Sequence, residues 1–288
     1  MTQRILILGV TGMLGNALFC ELGNEDGLEV YGTTRSNRHG IDIEGVPHAR
    51  ELYTGVDARD LESLYFAFRE CRPEVIINCI GVIKQDPKIM IAASTIEVNS
   101  LFPHLLADKC RESGARLIHV STDCVFSGLR GDYVESDNPD PADLYGRSKL
   151  LGEIDQEGSI TLRTSIIGHE LSSAVSLLDW FLEQKGEVKG FTKAIFSGIT
   201  TVEFASLIRN VVLPRSDLWG LFHVASTPIS KFELLSIAAE EYGWTGRIVP
   251  FDEFVCDRSL NADLLFSETG YRPPDWPEML STLHSRRA

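Results

Sequence analysis

Residues 4–22 read Arg-Ile-Leu-Ile-Leu-Gly-Val-Thr-Gly-Met-Leu-Gly-Asn-Ala-Leu-Phe-Cys-Glu-Leu, and this stretch decides the fold. It begins with a mostly apolar run that predicts a buried strand, and apolar residues at helical spacing follow from position 13. Glycines lie between the two elements. Gly9 permits a tight turn, Gly12 lets the backbone approach a ligand, and Gly15 lets the helix lie close to the strand.

The turn between this strand and this helix predicts a phosphate site. The first amides of a helix have no partners within the helix, and the helix dipole is positive at that end, so a phosphate can bind there without a lysine. A glycine run that follows a strand and opens a helix is typical of dinucleotide binding. We therefore expect the phosphates of a dinucleotide to contact Gly9, Thr11, Gly12, Met13, Leu14 and Gly15.

The end of the second predicted strand distinguishes the two nicotinamide dinucleotides. NAD-binding proteins carry an acidic residue there, which hydrogen-bonds the adenosine ribose. This chain instead reads Gly-Thr-Thr-Arg-Ser-Asn-Arg at residues 32–38. The guanidinium of Arg35 can pair with a 2′-phosphate and stack on adenine, although Arg35 and Arg38 also suit a solvated loop. The sequence favours NADPH as the cofactor, with NADH as the alternative.

Apolar runs alternate with amphipathic stretches up to about residue 165, which predicts βαβ units. The further predicted strands are 28–33, 75–80, 116–121 and 160–165, and the further helices are 61–69, 99–113 and 145–155. We expect an α/β fold, a Rossmann-type doubly wound parallel sheet that binds ligands at the carboxyl ends of its strands. Residues 1–165 would form the NAD(P)-binding domain. Residues 166–288 would form mainly a smaller C-terminal substrate-binding lobe, with elements around 196–230 rejoining the sheet.

Composition and charge exclude several classes of protein. The chain has 288 residues and a net charge of −14, which argues against nucleic acid as a partner, because phosphate backbones need a basic surface. We recognise neither a signal peptide nor an apolar stretch of membrane-spanning length, and so expect a cytoplasmic protein with no membrane partner. The six cysteines form no Cys-x-x-Cys pair, which argues against structural zinc, and free thiols fit a reducing compartment.

A phenol and an ammonium are spaced for proton transfer. Tyr145 and Lys149 lie four residues apart on a predicted helix and therefore share one face. A phenol with a pKa of about 10 is a poor acid or base at neutral pH, and a neighbouring ammonium lowers that pKa. Thr122 follows the fourth predicted strand, where its hydroxyl reaches the same edge of the sheet. The three residues predict protonation of a carbonyl oxygen during hydride transfer, with Lys149 also binding the nicotinamide ribose.

Further motifs follow the glycine run in a definite order. They are Ile77-Asn78-Cys79-Ile80-Gly81, Val98-Asn99, Ser121–Gly128, Tyr145–Glu153, Arg163-Thr164-Ser165 and Arg258-Ser259-Leu260-Asn261. With these landmarks, the chain resembles the dTDP-4-dehydrorhamnose reductase branch of the extended short-chain dehydrogenases over nearly its full length. The resemblance implies NAD(P)H-dependent reduction of a 4-keto-6-deoxy sugar on a nucleoside diphosphate, in deoxysugar or polysaccharide biosynthesis. Dimers are common among such relatives, so a homodimer is possible.

The resemblance also assigns roles to residues of this chain. It implies that Thr122, Tyr145 and Lys149 are catalytic, and that Asn99 supports Lys149 through the helix backbone. The further residues of the cofactor pocket would be Asp57, Ala58, Cys79, Ile80 and Gly81. The substrate pocket would be formed by Lys84, Asp123, Cys124, Val125, Phe126, His169, Lys193 and Arg258, of which Arg258 would approach the diphosphate and the two lysines also suit an exposed surface.

The chain departs from related enzymes at two informative positions. Sugar-nucleotide dehydratases of the same superfamily carry Thr-Asp-Glu where this chain has Thr122-Asp123-Cys124, so 4,6-dehydration is not expected. Some reductases of this branch bind magnesium through a Glu of the first helix, where this chain has Ala17. We therefore predict no metal.

Two alternative functions stay open. GDP-fucose synthase, a relative that epimerises before it reduces, carries a Cys at the position of Cys124 and a His after the fifth strand, where this chain has His169. A thiolate–imidazole pair could exchange protons alpha to a keto group, whereas a packing Cys and a loop His could not. In addition, some proteins that resemble this branch bind NADP as regulatory subunits without turnover. The intact trio favours an enzyme.

Overall fold

The computed structural model describes residues 2–36, 40–41, 43–84, 89, 91–171 and 175–286. Within these residues the strands are β1 (Gln3–Leu8), β2 (Leu28–Thr34), β3 (Ala49–Thr54), β4 (Val75–Asn78), β5 (Arg116–Thr122), β6 (Ser159–Thr164), β7 (Ile166–Ile167), β8 (Glu187–Phe196), β9 (Ile199–Thr200), β10 (Gly220–His223), β11 (Ile229–Ser230) and β12 (Arg247–Asp257). The helices are α1 (Met13–Gly23), α2 (Leu61–Cys71), α3 (Ala92–Ile96), α4 (Phe102–Ser113), α5 (Leu144–Leu151), α6 (Leu177–Glu183), α7 (Thr201–Leu207), α8 (Lys231–Glu241), α9 (Asp263–Thr269) and α10 (Trp276–Ser285). A π-helical turn (Glu97–Leu101) joins α3 to α4, a 3-10 turn (Asp123–Val125) follows β5, and a second π-helical turn (Ile208–Val212) follows α7.

The main sheet confirms the predicted doubly wound fold. Its seven strands lie in the order β10-β6-β5-β4-β1-β2-β3, and all neighbours pair in parallel. The chain moves outward from β1 to β2 and β3, and then returns to add β4 on the other side of β1. The strand order therefore reverses between β1 and β4, which opens a crevice at their carboxyl ends.

The sheet is buried on both faces, as expected for parallel strands. Side chains alternate along β1, so that Ile5 and Ile7 pack in one core cluster with α1, while Leu6 and Leu8 pack in another with α2 and α4. All four side chains are fully buried. In the described part of the chain, no helix is both long and apolar enough to cross a membrane.

Later elements cover the main sheet and also form two small sheets. β10 extends the main sheet beyond β6, and α7 packs against α1. The larger of the small sheets has the order β11-β8-β12, in which β8 and β12 are parallel and carry an irregularity between Phe251 and Val255. β7 and β9 form a short parallel pair. The division into domains at residues 165/166 remains a prediction, since residues of both parts contribute to the main sheet and its cover.

The structure differs from the sequence predictions in β3, β4 and α5, and also at the start of the helix predicted over 99–113, where a π-helical turn (Glu97–Leu101) precedes α4. β3 was not predicted, because it is a half-exposed edge strand with polar residues such as Arg50 and Glu51. β4 ends at Asn78, two residues earlier than predicted, because the Asn78 side chain accepts a hydrogen bond from the Ile80 amide at 3.1 Å and turns the backbone out of the sheet. α5 ends at Leu151 rather than near residue 155.

Two glycines bring α5 into direct backbone contact with its neighbours. A Cβ atom on Gly146 would lie 2.1 Å from the carbonyl oxygen of Cys124 in the 3-10 turn. A Cβ atom on Gly152 would lie 2.0 Å from the carbonyl oxygen of Asn99 in the π-helical turn. Non-bonded carbon and oxygen atoms do not approach so closely, so both positions require glycine. α5 is thereby held between the two turns.

We predict that Gly152→Ala destabilises the protein by about 3 kcal/mol, because the methyl group must push one backbone segment away from another. The backbone of Gly152 has a φ of −96°, which alanine also adopts, so the effect isolates the steric clash. Urea denaturation followed by circular dichroism measures the change. Gly81→Ala is the matched control, because its Cβ would have its nearest neighbour at 3.4 Å. Equal stability of the two variants would contradict the close packing of α5.

Candidate active site

The predicted phosphate cradle lies at the reversal of strand order. Gly9 has a φ of +82°, which favours glycine, and its amide donates to the Thr33 hydroxyl at 3.2 Å. A Cβ atom on Gly15 would lie 2.3 Å from the Gly9 carbonyl oxygen, so Gly15 sets how closely α1 approaches β1. Gly12 precedes the first turn of α1 and caps it without a side-chain hydrogen bond.

This cradle fits a pyrophosphate. The first-turn amides belong to Met13, Leu14 and Gly15, and among the described residues no side chain caps this helix. At Gly12 a Cβ atom would have ordinary van der Waals space against protein atoms, with its nearest neighbour at 3.4 Å, so the fold itself does not require glycine there. Thr11 is exposed beside it. A backbone surface without a side chain at Gly12 suits a ligand that must approach closely.

The predicted adenosine end of the pocket also contains Arg59, which no sequence motif indicated. Arg59 binds Asp57 through two side-chain hydrogen bonds of 2.9 and 2.7 Å and one backbone bond of 2.9 Å. The hydrogen bonds from Arg59 lower the pKa of Asp57 to about 2, and the positive charge of Arg35 acts in the same direction. Arg35 is exposed, and Ala58 is buried. Two guanidinium groups therefore act on one carboxylate here. Arg38 lies outside the described residues.

Asn99 connects the β4 edge to α5. It is fully buried in the π-helical turn, where its side chain accepts from the Val82 amide at 2.8 Å and donates to the Val82 carbonyl at 2.9 Å. The same amide group donates to the Ser148 hydroxyl at 3.1 Å. Asn99 therefore supports α5 through the side chain of Ser148, whereas the sequence analysis expected a contact through the helix backbone. Cys79, Ile80 and Gly81 lie between the end of β4 and Val82, the residue that Asn99 binds.

Thr122, Tyr145 and Lys149 converge on one edge of the sheet. The Thr122 hydroxyl donates to an Asp123 carboxylate oxygen at 3.1 Å, and it lies close enough to the Tyr145 phenol to act on its pKa. The Lys149 ammonium donates to the carbonyl oxygen of Val120 at 2.7 Å. Thr122 and Lys149 are each 6% exposed, so the charge of Lys149 is held in the interior.

The pKa of Tyr145 differs from the sequence expectation. Lys149 was expected to lower it, but burial raises the pKa of Tyr145 above its ordinary value, and the Thr122 hydrogen bond opposes that rise only in part. Burial also lowers the pKa of Lys149 to about 8, against the negative charge of Glu153. At neutral pH the phenol is therefore protonated and the amine largely charged. This protonation state suits a proton donor.

Seven of the eight predicted substrate residues fall into three groups. Asp123, Cys124, Arg258 and Lys84 lie around the end of β5 and the start of α5. Arg258 donates to the Phe126 carbonyl at 2.9 Å, and Lys84 pairs with Asp143 at 2.6 Å. Val125 and Phe126 are fully buried in a small cluster with Tyr133, so their side chains do not face a pocket. Lys193 lies on β8, exposed and 3.9 Å from Asp252.

The surroundings of Cys124 and His169 bear on the epimerase alternative. Burial and the charge of Asp123 raise the pKa of Cys124 to about 12, which keeps the thiol protonated. The two ring nitrogens of His169 lie 2.6 Å from Asp179 and 2.9 Å from the Tyr242 hydroxyl. The thiolate and the available imidazole that epimerisation would need are therefore not formed in this structure.

Asp143 is a site residue that sequence reasoning missed. Its carboxylate caps α5 by accepting from the Gly146 amide at 2.9 Å, and it also pairs with Lys84. Burial acts to raise the pKa of Asp143, but the Gly146 amide and the Lys84 ammonium outweigh it, so the pKa lies below its ordinary value. An Asp immediately before a helical run is a recognisable start signal, and it could have been found from the sequence.

Curated relatives include one subunit and one biosynthetic protein. Methionine adenosyltransferase 2 subunit beta of Rattus norvegicus is 30% identical to this chain over 267 residues, covering 84% of this chain and 72% of the relative. Spore coat polysaccharide biosynthesis protein SpsK of Bacillus subtilis is 25% identical over 298 residues, covering 96% and 95% of the two chains.

Solved structures share the fold along the whole chain. A dTDP-4-dehydrorhamnose reductase of Bacillus anthracis, solved in complex with NADP, superposes with a TM-score of 0.80 at 23% identity and covers 99% of this chain and 100% of its own. A hypothetical dTDP-4-dehydrorhamnose reductase of Sulfolobus tokodaii has a TM-score of 0.77 at 28% identity, with coverages of 95% and 98%.

We predict that Gly12→Ala weakens the binding of a nicotinamide dinucleotide by about tenfold or more, because the methyl group occupies the surface that the pyrophosphate approaches. The free energy of unfolding should change by less than about 1 kcal/mol, the usual scale of a cap substitution. Isothermal titration calorimetry and urea denaturation measure the two effects. Gly15→Ala should impair both stability and binding. Unchanged binding in folded Gly12→Ala would place the phosphates elsewhere.

One family model matches a range of the chain that contains the candidate site. A model described as the RmlD substrate binding domain matches residues 3–264. That range contains the glycine cradle, the 3-10 turn after β5, the α5 pair of Tyr145 and Lys149, and Arg258. The chain therefore belongs to the RmlD substrate binding domain family.

Proposed function

We propose that this protein is an NADPH-dependent reductase of a 4-keto-6-deoxy sugar linked to a nucleoside diphosphate. The observation that carries the proposal is the convergence of Thr122, Tyr145 and Lys149 beside the crevice where the strand order reverses. A protein that only binds a dinucleotide has no need of a protonated phenol and a buried ammonium at that edge. The solved relative that carries NADP supports the cofactor class.

The cofactor would be held mainly by backbone groups and a few cations. The first-turn amides of α1 would bind its pyrophosphate, Arg35 its 2′-phosphate, and Lys149 the ribose hydroxyls of its nicotinamide half. When bound, NADPH supplies the hydride that reduces the keto carbon. In a chain with a net charge of −14, these local cations and amides allow two anionic molecules to bind side by side.

Tyr145 would supply the proton. Its raised pKa keeps the phenol protonated at neutral pH, and the nearby Thr122 hydroxyl would help to place the carbonyl oxygen that receives the proton. After donation, the phenolate would be a buried negative charge, and we assign its stabilisation to the Lys149 ammonium, one turn further along α5. Arg258 and Lys84 would face the diphosphate of the sugar nucleotide, because the positive charges of both side chains lie near the N-terminus of α5.

A second candidate function rests on the relatives rather than on the site. Proteins that are 28% and 30% identical to this chain bear the name methionine adenosyltransferase 2 subunit beta. On this second proposal the chain would be a subunit of another enzyme, and it would bind NADP without turnover. The epimerase–reductase alternative has less support, because the Cys124 thiol is protonated and both ring nitrogens of His169 are hydrogen-bonded.

The decisive experiment measures NADPH oxidation at 340 nm with a panel of 4-keto-6-deoxy sugars on different nucleoside diphosphates. Turnover with one of them supports the reductase, and mass spectrometry of the product identifies the reduced carbon. Tight NADPH binding without turnover on any member of the panel would favour the subunit.

We predict that Tyr145→Phe lowers kcat by at least about a thousandfold, because the proton donor is lost. NADPH affinity should change by less than about threefold, since the ring and its packing stay. Stopped-flow absorbance and fluorescence titration measure the two quantities. A variant with more than a tenth of the wild-type kcat would exclude Tyr145 as the donor.

We predict that Arg35→Ala weakens NADPH binding by roughly thirtyfold, the scale of one charged hydrogen-bonded contact. NADH binding should stay within about twofold, because NADH has no 2′-phosphate. Arg50→Ala is a matched control, since Arg50 lies on the neighbouring β3 and pairs with Glu29. An equal loss for the two cofactors would show that Arg35 does not recognise the 2′-phosphate.

A further inference from the structure

Three consecutive residues of β5 each contact one residue of α5 or of the turn that follows it, which together form the α5 segment (residues 144–157). The Val120 carbonyl accepts from Lys149, and the Thr122 hydroxyl contacts the Tyr145 phenol. Between them, the Ser121 hydroxyl donates to a carboxylate oxygen of Glu153 at 2.6 Å. Glu153 lies four residues beyond Lys149, just past the end of α5. The two catalytic candidates and Glu153 are thus fastened to one short piece of strand.

Glu153 is also bound by a buried arginine. The Arg163 guanidinium donates to both carboxylate oxygens, at 2.8 and 2.7 Å. The side chains of Arg163 and Glu153 are only 3% and 10% exposed. Arg163 lies on β6 directly opposite Ser121, so one carboxylate joins two neighbouring strands to the α5 segment. An ion pair this deeply buried is expensive to desolvate, and a pair of apolar residues would stabilise the fold as well or better.

We propose that Glu153 is a positioning residue for Lys149: its carboxylate, held by Ser121 and Arg163, keeps the Lys149 amine charged and at its place on β5. The proposal rests on the proposed function in one respect: the charge on Lys149 serves cofactor binding and proton transfer only if the protein is a reductase.

Glu153 and Lys149 are not in ion-pair contact, but they are bound by two adjacent residues of β5, Ser121 and Val120, and the charge of Glu153 acts on the Lys149 amine. Burial lowers the pKa of Lys149, and the groups that raise it are Glu153 and Cys79. Cys79 follows β4, and burial raises its pKa to about 12, so it is a neutral thiol. His119, which faces Lys149 from β5, is neutral as well, because burial and Lys149 lower its pKa well below the ordinary value. Tyr145, on α5 itself, is protonated. Of the described groups that act on Lys149, Glu153 is therefore the one with a full negative charge at neutral pH.

Removal of the Glu153 carboxylate should lower the pKa of Lys149. Without the carboxylate, burial acts almost unopposed, and the pKa of Lys149 falls below about 8. Loss of an opposite charge at close range lowers a pKa by about one unit or more. A fall of about one unit would reduce the charged fraction at pH 7.5 from about three-quarters to about one-quarter. At pH 6 the amine stays charged in both proteins.

The test is Glu153→Gln in the full chain. NMR of protein labelled with ¹³C at lysine Cε follows the titration of Lys149 directly, with its signal assigned by its loss in Lys149→Arg. We expect the titration midpoint to move down by about one pH unit. NADPH affinity should be near normal at pH 6 and reduced severalfold at pH 8. Glu157→Gln, which neutralises an exposed carboxylate on the same segment, should leave both measurements unchanged.

Glu153→Gln leaves Arg163 buried without its partner and could fail to fold, so a second variant protects the test. In the double variant Glu153→Gln with Arg163→Gln, the two amides can bond each other and no unpaired charge is buried. The Lys149 midpoint should still move down, but by less than in the single variant, because the nearby positive charge of Arg163 is removed as well. A folded double variant in which Lys149 titrates as in wild type would overturn the proposal. Because the titration needs no turnover, it separates this proposal from failure of the reductase function.

Discussion

The site depends on a steric constraint: α5 touches backbone at both of its ends. No Cβ atom fits at Gly146 against the 3-10 turn or at Gly152 against the π-helical turn. These two contacts fix the position of α5 along and around its axis. They therefore also fix where Tyr145 and Lys149 lie relative to β5. Precision at the phenol therefore comes from rigid backbone, which is the most dependable support that a fold can give to a reacting group.

Charge is managed locally in a strongly acidic chain. The cradle of α1 uses amides instead of side chains, and the cations occur singly, each with an identified partner or role: Arg59 with Asp57, Lys84 with Asp143, and Lys149 with the Val120 carbonyl. Such pairing keeps each cation in place before a phosphate arrives. It also means that an incoming anion competes with a carboxylate, so binding exchanges one ion pair for another.

Sequence reasoning succeeded where one residue type has one physical purpose. The glycines at 9 and 15 predicted the β1–α1 unit, because a positive φ and a close backbone approach both require glycine. It failed where the outcome depends on tertiary surroundings. The pKa of Tyr145, the buried side chains of Val125 and Phe126, and the partners of His169 are set by distant segments. The polar edge strand β3 lacks the apolar pattern of the inner strands. The roles assigned to the site residues and the domain boundary remain predictions.

The thiol of Cys124 has a consequence for durability. The thiolate is the form that peroxides and alkylating agents attack, and a thiol with a pKa of about 12 provides almost none of it at neutral pH. Cys71, Cys79 and Cys110 have pKa values raised to about 12 by burial as well. A protein with a cysteine beside its reacting groups would ordinarily be vulnerable to oxidative stress. Here the thiols of these four cysteines stay protonated at neutral pH, which slows their reaction with oxidants.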